Sequence, residues 1–274
     1  MYSKAIKLEV MGTNIIKKIL FIALISYLPA NAMAWGLLGH RVVGEIAQNY
    51  LNKRAAREVK VILGNESLAM ASNWADFIKS EPSYNYIGNW HYINLPAGLN
   101  SEQIQSKLLS DTATNAYTKI RFLSTELKNK ALDQDKKVMF LRLLIHIVGD
   151  LHQPMHTGRF EDLGGNRVLL SWFGQPSNLH RVWDSDLIES QELSYTEYAR
   201  SVNFIDKSRL FQLQNEDVNL WVEDSYRVSE KIYANIKSGD KLSYRYIYDY
   251  LAIADQQLLK GGVHLAALLN QIFK

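Results

Sequence analysis

Cysteine is absent from the 274 residues of this chain. Disulfide bonds are therefore excluded, and any bound metal ion must be held by nitrogen and oxygen ligands. Proline and glycine are sparse, at 5 and 15 residues, and there is no internal repeat, low-complexity tract or Pro/Gly-rich linker. These absences favour a single domain, and a hydrophobic content of 47% is enough for a sizeable core.

The apolar run near the N-terminus is too short for a permanent membrane-spanning helix, which needs about 20 apolar residues. Ile19–Leu28 follows two lysines and precedes the small-residue site Ala32-Met33-Ala34. This layout is typical of a secretory signal peptide, so we predict one over residues 1–34. A retained membrane anchor is the alternative reading, and Met11 is a possible true start of the chain.

An excess of charge of one sign is missing from the predicted mature domain, residues 35–274. The whole chain has a formal net charge of +3, but residues 1–34 carry four lysines and one glutamate, which leaves 27 basic and 27 acidic residues. Without a global basic field, a polyanionic substrate must be held locally, for example by metal ions. We expect a periplasmic or secreted monomer without stable membrane association after cleavage.

Apolar spacing predicts an all-α fold: a single multi-helix domain with long metal-binding loops and at most a small β-hairpin. The predicted helices span about 39–52, 55–63, 66–79, 101–128, 135–151, 178–190, 195–204, 215–237 and 243–271. A short β-strand segment is expected at 167–173, followed by the turn sequence Gly174-Gln175-Pro176-Ser177. Long loops are predicted near 81–100 and 152–178, and they hold many of the unusual residues.

Three of the seven histidines and one aspartate lie within the eleven residues 146–156. His146 and Asp150 are four apart on a predicted helix, so both side chains project from one face. An aspartate in a mostly apolar helix end is costly unless it is paired or binds a metal ion. Pro154 disfavours continuation of the helix, which leaves His156 free to approach from the loop. The pattern indicates two ligands from a helix and a third from a loop.

The same spacing recurs at His180 and Asp184. One such pair could equally be a surface His–Asp ion pair. Two pairs together with His156 favour a metal site, because neutral imidazole and carboxylate are the usual zinc ligands where cysteine is absent.

Three further segments fit a metal site. Asp76 falls at the end of an apolar helix in NWADF, and His91 falls in the following loop in GNWHYINLP. His40 comes five residues after Trp35 in WGLLGH. For His40 or His91 alone, a hydrogen-bonded structural histidine is the default interpretation. Cleavage after Ala34 would give Trp35 a free amine, which could bind a metal together with its own carbonyl group.

The motifs occur in the order W-x4-H, W-A-D, W-H-Y-I, H-x2-G-D-x-H-Q-P-x-H, G-G-N and N-L-H-x2-W-D. Together they resemble the trinuclear-zinc, single-strand-specific nuclease family, the type that also acts as a 3′-nucleotidase. That family is distantly related to the bacterial zinc phospholipases C. The motifs extend from Trp35 to Asp184, and a weaker likeness continues to GGVHLAALLN near the C-terminus.

The resemblance implies three zinc ions held by residues from distant parts of the chain. The implied ligands are Asp76, His91, His146 and a shared Asp150 for the first ion; the amine and carbonyl of Trp35, His40 and Asp150 for its close partner; and His156, His180 and Asp184 for the third. A processed N-terminus would then be part of the active site.

The resemblance also implies hydrolysis of single-stranded DNA and RNA to 5′-phosphorylated nucleotides, with 3′-nucleotides as further substrates. Asp76 would orient the attacking hydroxide. Lys79, where relatives often carry arginine, would contact phosphate or else be a solvated lysine at a helix end. Tyr92 resembles the aromatic platform on which a base stacks, although it could equally be a core residue. Asn94 stands where the family often has aspartate and would bind the base.

Two histidines remain outside the implied ligand sets. For His152 we expect a supporting or surface position, and for His264 a structural one. Two rival functions share the same metal ligands. A zinc phospholipase C tends to carry glutamate where this chain has Asp184, and a non-catalytic secreted zinc-binding protein would have intact ligands beside a blocked site.

Overall fold

The computed structural model describes residues 35–274. The predicted signal peptide of residues 1–34 and the possible start at Met11 lie outside the described residues. The all-α prediction is confirmed, because helices make up most of the described chain and its strands form one small sheet. Within residues 35–274, no helix combines the length and apolar character needed to cross a membrane.

The α-helices are α1 (Leu37–Tyr50), α2 (Lys53–Leu63), α3 (Leu68–Ala71), α4 (Trp74–Ile78), α5 (Ser101–Leu109), α6 (Ala116–Glu126), α7 (Gln134–Leu151), α8 (Leu179–Arg181), α9 (Leu187–Glu189), α10 (Tyr195–Val202), α11 (Lys207–Gln214), α12 (Val218–Tyr233) and α13 (Tyr244–Ile272). The 3-10 helices are Pro82–Trp90 and Pro154–Thr157, a π-helix covers Val182–Asp186, and the strands are β1 (Leu169–Trp172), β2 (Gln175–Asn178) and β3 (Lys241–Leu242).

The centre of the molecule is formed by α7, which packs against α1, α6 and α13. Its last turns, Leu143–Leu151, are buried on every side. Helix α1 lies against α13 and buries the face that carries His40. Because α7 delivers His146 and Asp150 into this core, the polar residues of the candidate site sit deep in the fold and not on its surface.

The predicted helix 66–79 is wrong in its extent, because it is broken into α3 and α4. The Ser67 side chain accepts the Met70 N–H at the start of α3, and the Ser72 hydroxyl donates to the Ala69 carbonyl where α3 ends. Serine competes for backbone hydrogen bonds in this way and favours helix ends. The break frees the Ser72 carbonyl to accept a hydrogen bond from His146.

The predicted helix 101–128 is also divided, into α5 and α6. Asp111 accepts the Ala113 N–H, and Asn115 accepts the Thr118 N–H to start α6. Apolar spacing continues across the break, so the periodicity alone does not reveal it. Helix α10 begins with a capping box formed by Ser194 and Glu197.

Both predicted loops contain regular structure. Segment 81–100 includes the 3-10 helix Pro82–Trp90, and segment 152–178 includes Pro154–Thr157 and the antiparallel β1–β2 hairpin. Strand β3 pairs in parallel with β1, which extends the predicted hairpin to three strands. A two-residue strand is too short to produce a periodic pattern, and α11 was missed because Leu213 alone of its residues is buried.

Candidate metal centre

Asp150 is surrounded by histidine side chains at the buried end of α7. His40 Nε2 lies 3.3 Å from Oδ1 of Asp150, and His146 Nε2 lies 3.2 Å from Oδ2. His91 Nδ1 lies 2.9 Å from the same Oδ2 atom. His40, His146 and Asp150 are completely inaccessible to solvent, and they form one group whose donor atoms all lie within 4.8 Å of one another.

A second group joins Asp76, His91 and His146, again with donor atoms within 4.8 Å of one another. His146 Nε2 is 3.0 Å from His91 Nδ1 and 3.7 Å from Asp76 Oδ1. Asp76 lies on α4, and His91 directly follows the 3-10 helix Pro82–Trp90. Residues up to 70 positions apart along the chain therefore meet in this group.

A third group consists of His156, His180 and Asp184. His180 Nε2 lies 3.1 Å from Oδ2 of Asp184, and His156 Nε2 lies 3.8 Å from Oδ1. His156 Nδ1 is also 3.7 Å from Asp150 Oδ1, so the third group adjoins the other two. Asp184 sits in the π-helix Val182–Asp186, a rare geometry that is frequent at functional sites.

Main-chain carbonyl groups fix the orientation of three histidine rings. Each ring donates from Nδ1: His146 to Ser72 (2.6 Å), His156 to His91 (2.6 Å) and His180 to Gly164 (2.7 Å). This tautomer leaves the lone pair of Nε2 directed at the carboxylates, which is the usual arrangement of metal-binding histidines.

Several buried polar atoms in these groups have no hydrogen-bond partner. Among the described residues they include both ring nitrogens of His40, Oδ2 of Asp76, Nε2 of His91, Oδ1 of Asp150, Nε2 of His156 and Nε2 of His180. An unsatisfied buried group costs about 1–3 kcal/mol, and native proteins have few of them. Metal cations would satisfy this set of nitrogen and oxygen atoms.

The spacing of the donor atoms also fits zinc. Tetrahedral ligands at 2.0–2.2 Å from zinc lie about 3.3–3.6 Å from one another. The closest His–carboxylate contacts in the first and third groups, 3.3, 3.2 and 3.1 Å, are near that range.

Electrostatics favours the metal-binding ionisation states of Asp150, His40 and His91, whereas it favours the protonated form of His146. Burial opposes the charge of Asp150, but the neighbouring histidines, His146 first, hold its pKa well below the usual value. Burial lowers the pKa of His91 to about 4 and also lowers that of His40. Burial lowers the pKa of His146 too, but Asp150 and Asp76 outweigh it, so this pKa is raised. A metal cation would displace the proton that His146 otherwise holds.

Gly149 allows α1 to approach α7 at the first group. A Cβ atom at this position would lie 2.9 Å from Nδ1 of His40, closer than real contacts of this kind. The His40 ring is completely buried, so a shift away from this Cβ atom would disturb its packing in the core. The absence of a side chain at Gly149 therefore determines how close His40 comes to Asp150.

The first described residues lie beside the third group. The Trp35 side chain is fully buried, and the Gly36 N–H donates to the Asp184 carbonyl over 2.7 Å. His40 follows in the first turn of α1. The segment from Trp35 to His40 is therefore anchored at one end to Asp184 and at the other to Asp150.

The remaining predicted site residues are Lys79, Tyr92 and Asn94. Lys79 Nζ lies 2.6 Å from Oδ1 of Asp76, and its side chain is 30% exposed, so it is paired and not simply a solvated lysine. The Tyr92 side chain is 37% exposed, which makes the core interpretation wrong. Tyr92 and Asn94 line a cavity of about 570 Å³ with Asn89 and Phe160. The Tyr92 hydroxyl donates to Asn89 over 2.9 Å, which fixes the ring.

Gln153 was missed by the sequence analysis although it lies inside the histidine-rich motif. It is completely buried, its side-chain amide donates to Oδ1 of Asp184, and its carbonyl accepts the Met155 N–H at 2.5 Å. These contacts connect Asp184 to the 3-10 helix that carries His156. The sequence feature that could have indicated its role is a polar residue directly before Pro154, in the segment that carries His156.

His152 and His264 lie outside the three groups. The surface alternative for His152 is wrong, because this residue is buried and its Nδ1 donates to the Val148 carbonyl over 2.7 Å. Its Nε2 is 2.7 Å from Nδ1 of His264, whose ring stacks on Trp221. All seven histidines of the chain are thus buried.

The sequence profile of the family described as S1/P1 Nuclease matches residues 35–274. Endonuclease 3 of Arabidopsis thaliana is 29% identical over 96% of this chain and 97% of its own length. Nuclease P1 of Penicillium citrinum is 26% identical over 87% of this chain and 97% of its own length. Nuclease S1 of Aspergillus oryzae is 31% identical over 59% of this chain and 57% of its own length.

These similarities support a nuclease activity, and the three His/Asp groups could bind the metal on which the family depends. The profile covers every residue of the described domain, including all of the predicted metal ligands. The chain belongs to the S1/P1 nuclease family.

Proposed function

We propose that this protein is an exported zinc-dependent phosphodiesterase. It hydrolyses single-stranded DNA and RNA to 5′-phosphorylated nucleotides and also acts as a 3′-nucleotidase. The observation that carries the proposal is the meeting of three His/Asp groups around Asp150, with unsatisfied donor atoms in each. Membership of the S1/P1 nuclease family supports the reaction class.

Three zinc ions would occupy these groups. The ligands would be Asp76, His91, His146 and Asp150 for the first ion; the amine and carbonyl of Trp35, His40 and Asp150 for the second; and His156, His180 and Asp184 for the third. The contacts of Asp150 with His40, His91 and His146 support its role as the shared ligand. When bound, the ions would act as Lewis acids that stabilise charge on phosphate oxygens and lower the pKa of a nucleophilic water.

Asp76 would orient the attacking group. One of its oxygens is held by Lys79, while the other is buried and has no hydrogen-bond partner in the described structure. That free oxygen can accept a hydrogen bond from the nucleophile and align it with phosphorus. The Lys79 ammonium group would contact a non-bridging phosphate oxygen as a point charge.

Tyr92 and Asn94 would select unpaired bases. The Tyr92 ring is partly exposed and fixed through its hydroxyl group, so it offers a flat surface beside the ligand His91. Stacking on an aromatic ring contributes about 1–3 kcal/mol per base and needs a base that has left the duplex. Asn94 lines the same cavity and offers both a donor and an acceptor to the base edge.

Export to the periplasm or beyond would depend on the signal peptide of residues 1–34, removed after Ala34. The family profile begins at Trp35, which supports this position for the mature N-terminus. Intact-mass measurement of the exported protein tests the proposal. A mass that includes residues 1–34 would contradict both the cleavage and the role of the Trp35 amine.

The function is tested with purified protein that begins at Trp35 and is loaded with zinc. We would follow nucleotide release from single-stranded DNA and RNA, with and without a chelator, beside a phosphatidylcholine control. Chelator-sensitive release of 5′-nucleotides is expected. Formation of choline phosphate instead would identify a phospholipase C. Three bound zinc ions without turnover of any substrate would identify a non-catalytic binder.

A further inference from the structure

A row of six aromatic rings lies next to the candidate metal centre and has no part in the mechanism above. We call it the aromatic row; it consists of Trp74, Tyr84, Tyr86, Trp90, Phe122 and Phe140. Along the first four rings, successive centroids are 5.7, 6.2 and 5.6 Å apart. Lys119 lies between the first four rings and the Phe122–Phe140 pair, because its Nζ is 4.4 Å from the Trp90 centroid and 5.1 Å from that of Phe122.

The row is continuous with the site at two points. Trp74 opens α4, the helix that carries Asp76, and Trp90 directly precedes His91. Tyr84 and Tyr86 lie between them on the 3-10 helix Pro82–Trp90. A strand that leaves the metal centre along this helix would therefore meet the rings of the row.

Core packing does not account for the exposed members of the row. Trp90 is buried, but Tyr86 is 54% exposed and Phe122 is 41% exposed. Tyr86 packs nearly parallel to Tyr84, with 23° between the ring planes, and edge-on to Trp90. Its position is fixed by neighbouring rings while much of its surface remains open to a stacking partner.

The surroundings of the row suit a phosphate backbone. A groove of about 330 Å³ is lined by Trp74, Tyr84, Lys136, Arg142 and, as its one acidic member, Asp135. Arg142 is committed to Glu66 through two hydrogen bonds, at 2.9 and 2.8 Å. Within residues 35–274, neither Lys119 nor Lys136 has a carboxylate partner within 4 Å, so both ammonium groups are free for phosphate.

We propose that the aromatic row is an extended binding surface for single-stranded nucleic acid. It holds nucleotides that flank the one at the metal centre, with bases stacked on Tyr86 and its neighbours and phosphates near Lys119 and Lys136. Aromatic rings interleaved with cationic groups bind unpaired strands in a sequence-tolerant manner. The proposal rests on the proposed function and deepens it, since it adds a place on the protein surface for the nucleotides that flank the cleaved phosphodiester.

Binding tests the row separately from catalysis. The probe is a labelled thymidine 20-mer with phosphorothioate linkages, checked by gel to remain intact, and its Kd for the zinc-loaded protein is measured by fluorescence anisotropy. Tyr86→Ala should weaken binding by at least about fivefold, the loss of one stacked base. Tyr86→Phe keeps the ring and should bind like the unmodified protein. Tyr248→Ala removes an 80% exposed tyrosine outside the row and should have no effect.

Kinetics then distinguishes the row from the site. Tyr86→Ala should raise KM for an ordinary thymidine 20-mer while leaving kcat, and the hydrolysis of a thymidine dinucleotide, unchanged. Equal Kd values for Tyr86→Ala and Tyr248→Ala would contradict strand binding by the aromatic row, whether or not the protein cleaves DNA. Tyr86-dependent binding without any cleavage would support the row and count against the proposed function.

A second copy of the chain is the other possible occupant of this face. Sedimentation of the unmodified protein and of Tyr86→Ala across a range of concentrations tests it. A dimer that is lost in Tyr86→Ala, together with an unchanged Kd for the 20-mer, would assign the face to self-association and overturn the proposal.

Discussion

Gln153 and Asp184 are joined by a buried hydrogen bond in which the glutamine amide donates to one carboxylate oxygen, while His180 lies 3.1 Å from the other. The two oxygens of Asp184 are therefore in different environments. The oxygen next to His180 faces the other metal-binding candidates of the third group. The oxygen next to Gln153 accepts a hydrogen bond from the glutamine side chain.

Substitution of Gln153 should weaken metal binding at the third group. Gln153→Glu places one carboxylate against another, and Gln153→Leu leaves the buried Met155 N–H without a partner. Loss of such a supporting hydrogen bond typically costs about 10–100-fold in metal affinity. Competition against a zinc chelator should show one site weakened in both variants, whereas Gln256→Glu, at an exposed position on α13, should retain every site. Unchanged zinc affinity in both Gln153 variants would contradict this role.

Gly149→Ala should reduce stability although alanine normally favours a helix. In a helix interior, alanine stabilises by about 0.5–1 kcal/mol relative to glycine. Here the added Cβ would lie 2.9 Å from His40 Nδ1 and would push His40 away from Asp150. We expect a lower melting temperature and weaker zinc binding. Gly88→Ala, where no atom lies within 4 Å of the added Cβ, is the control. Stabilisation by Gly149→Ala would show that His40 is not constrained as described.

Removal of metal should lower the melting temperature markedly. With no cysteine there is no disulfide to limit the unfolded chain, and ligands that bind only the folded state stabilise it by mass action. One ion at 100 times its Kd contributes about 2.7 kcal/mol. For a domain of this size the corresponding shift is at least about 5 °C. Calorimetry before and after complete zinc removal measures this shift in melting temperature. Identical melting curves would contradict the predicted stabilisation by zinc.

His264 should contribute to a loss of stability at mildly acidic pH. Burial lowers its pKa to about 3, although Glu216, 3.3 Å from Nε2, favours the charged form. In the unfolded chain the histidine pKa is near 6.5, so below that pH the unfolded state binds a proton that the folded state does not bind. The stability that comes from keeping His264 neutral is therefore fully present above pH 6.5. It is lost as the pH falls from 6.5 towards 3.

The test for His264 is urea unfolding at pH 7.5 and pH 5.5. At pH 5.5, one unit below the pKa of the unfolded chain, a histidine that stays neutral in the folded state lowers the free energy of unfolding by about 1.4 kcal/mol. In His264→Gln the drop in unfolding free energy between the two pH values should therefore be smaller by about 1 kcal/mol. An equal drop in the two proteins would show that His264 accepts its proton in the folded state.

The sequence indicated the parts of the site that depend on local spacing. His146 with Asp150, and His180 with Asp184, are each four residues apart, and each pair does meet across one helical turn. The position of His91 beside Asp150 depends on how the 3-10 helix Pro82–Trp90 packs, and spacing carries no information about that. The ligand sets came from the family resemblance for this reason.

Features that depend on tertiary contacts escaped the sequence analysis. The break between α3 and α4 interrupts a continuous apolar pattern, and it leaves the Ser72 carbonyl free to accept a hydrogen bond from His146. Gln153 gives no periodic signal, and its importance follows from its burial and from its hydrogen bonds to Asp184 and Met155. The aromatic row spans residues 74–140 and arises only when four helical segments come together.

The burial of all seven histidines affects how the protein meets charged molecules in solution. The surface of the described domain carries no imidazole, the one side chain whose ordinary pKa falls between pH 5 and 7. The ordinary pKa values of lysine, arginine, aspartate and glutamate lie more than one unit outside the interval from pH 6 to pH 7. The long-range attraction or repulsion of a single-stranded polynucleotide should therefore change little between pH 6 and pH 7.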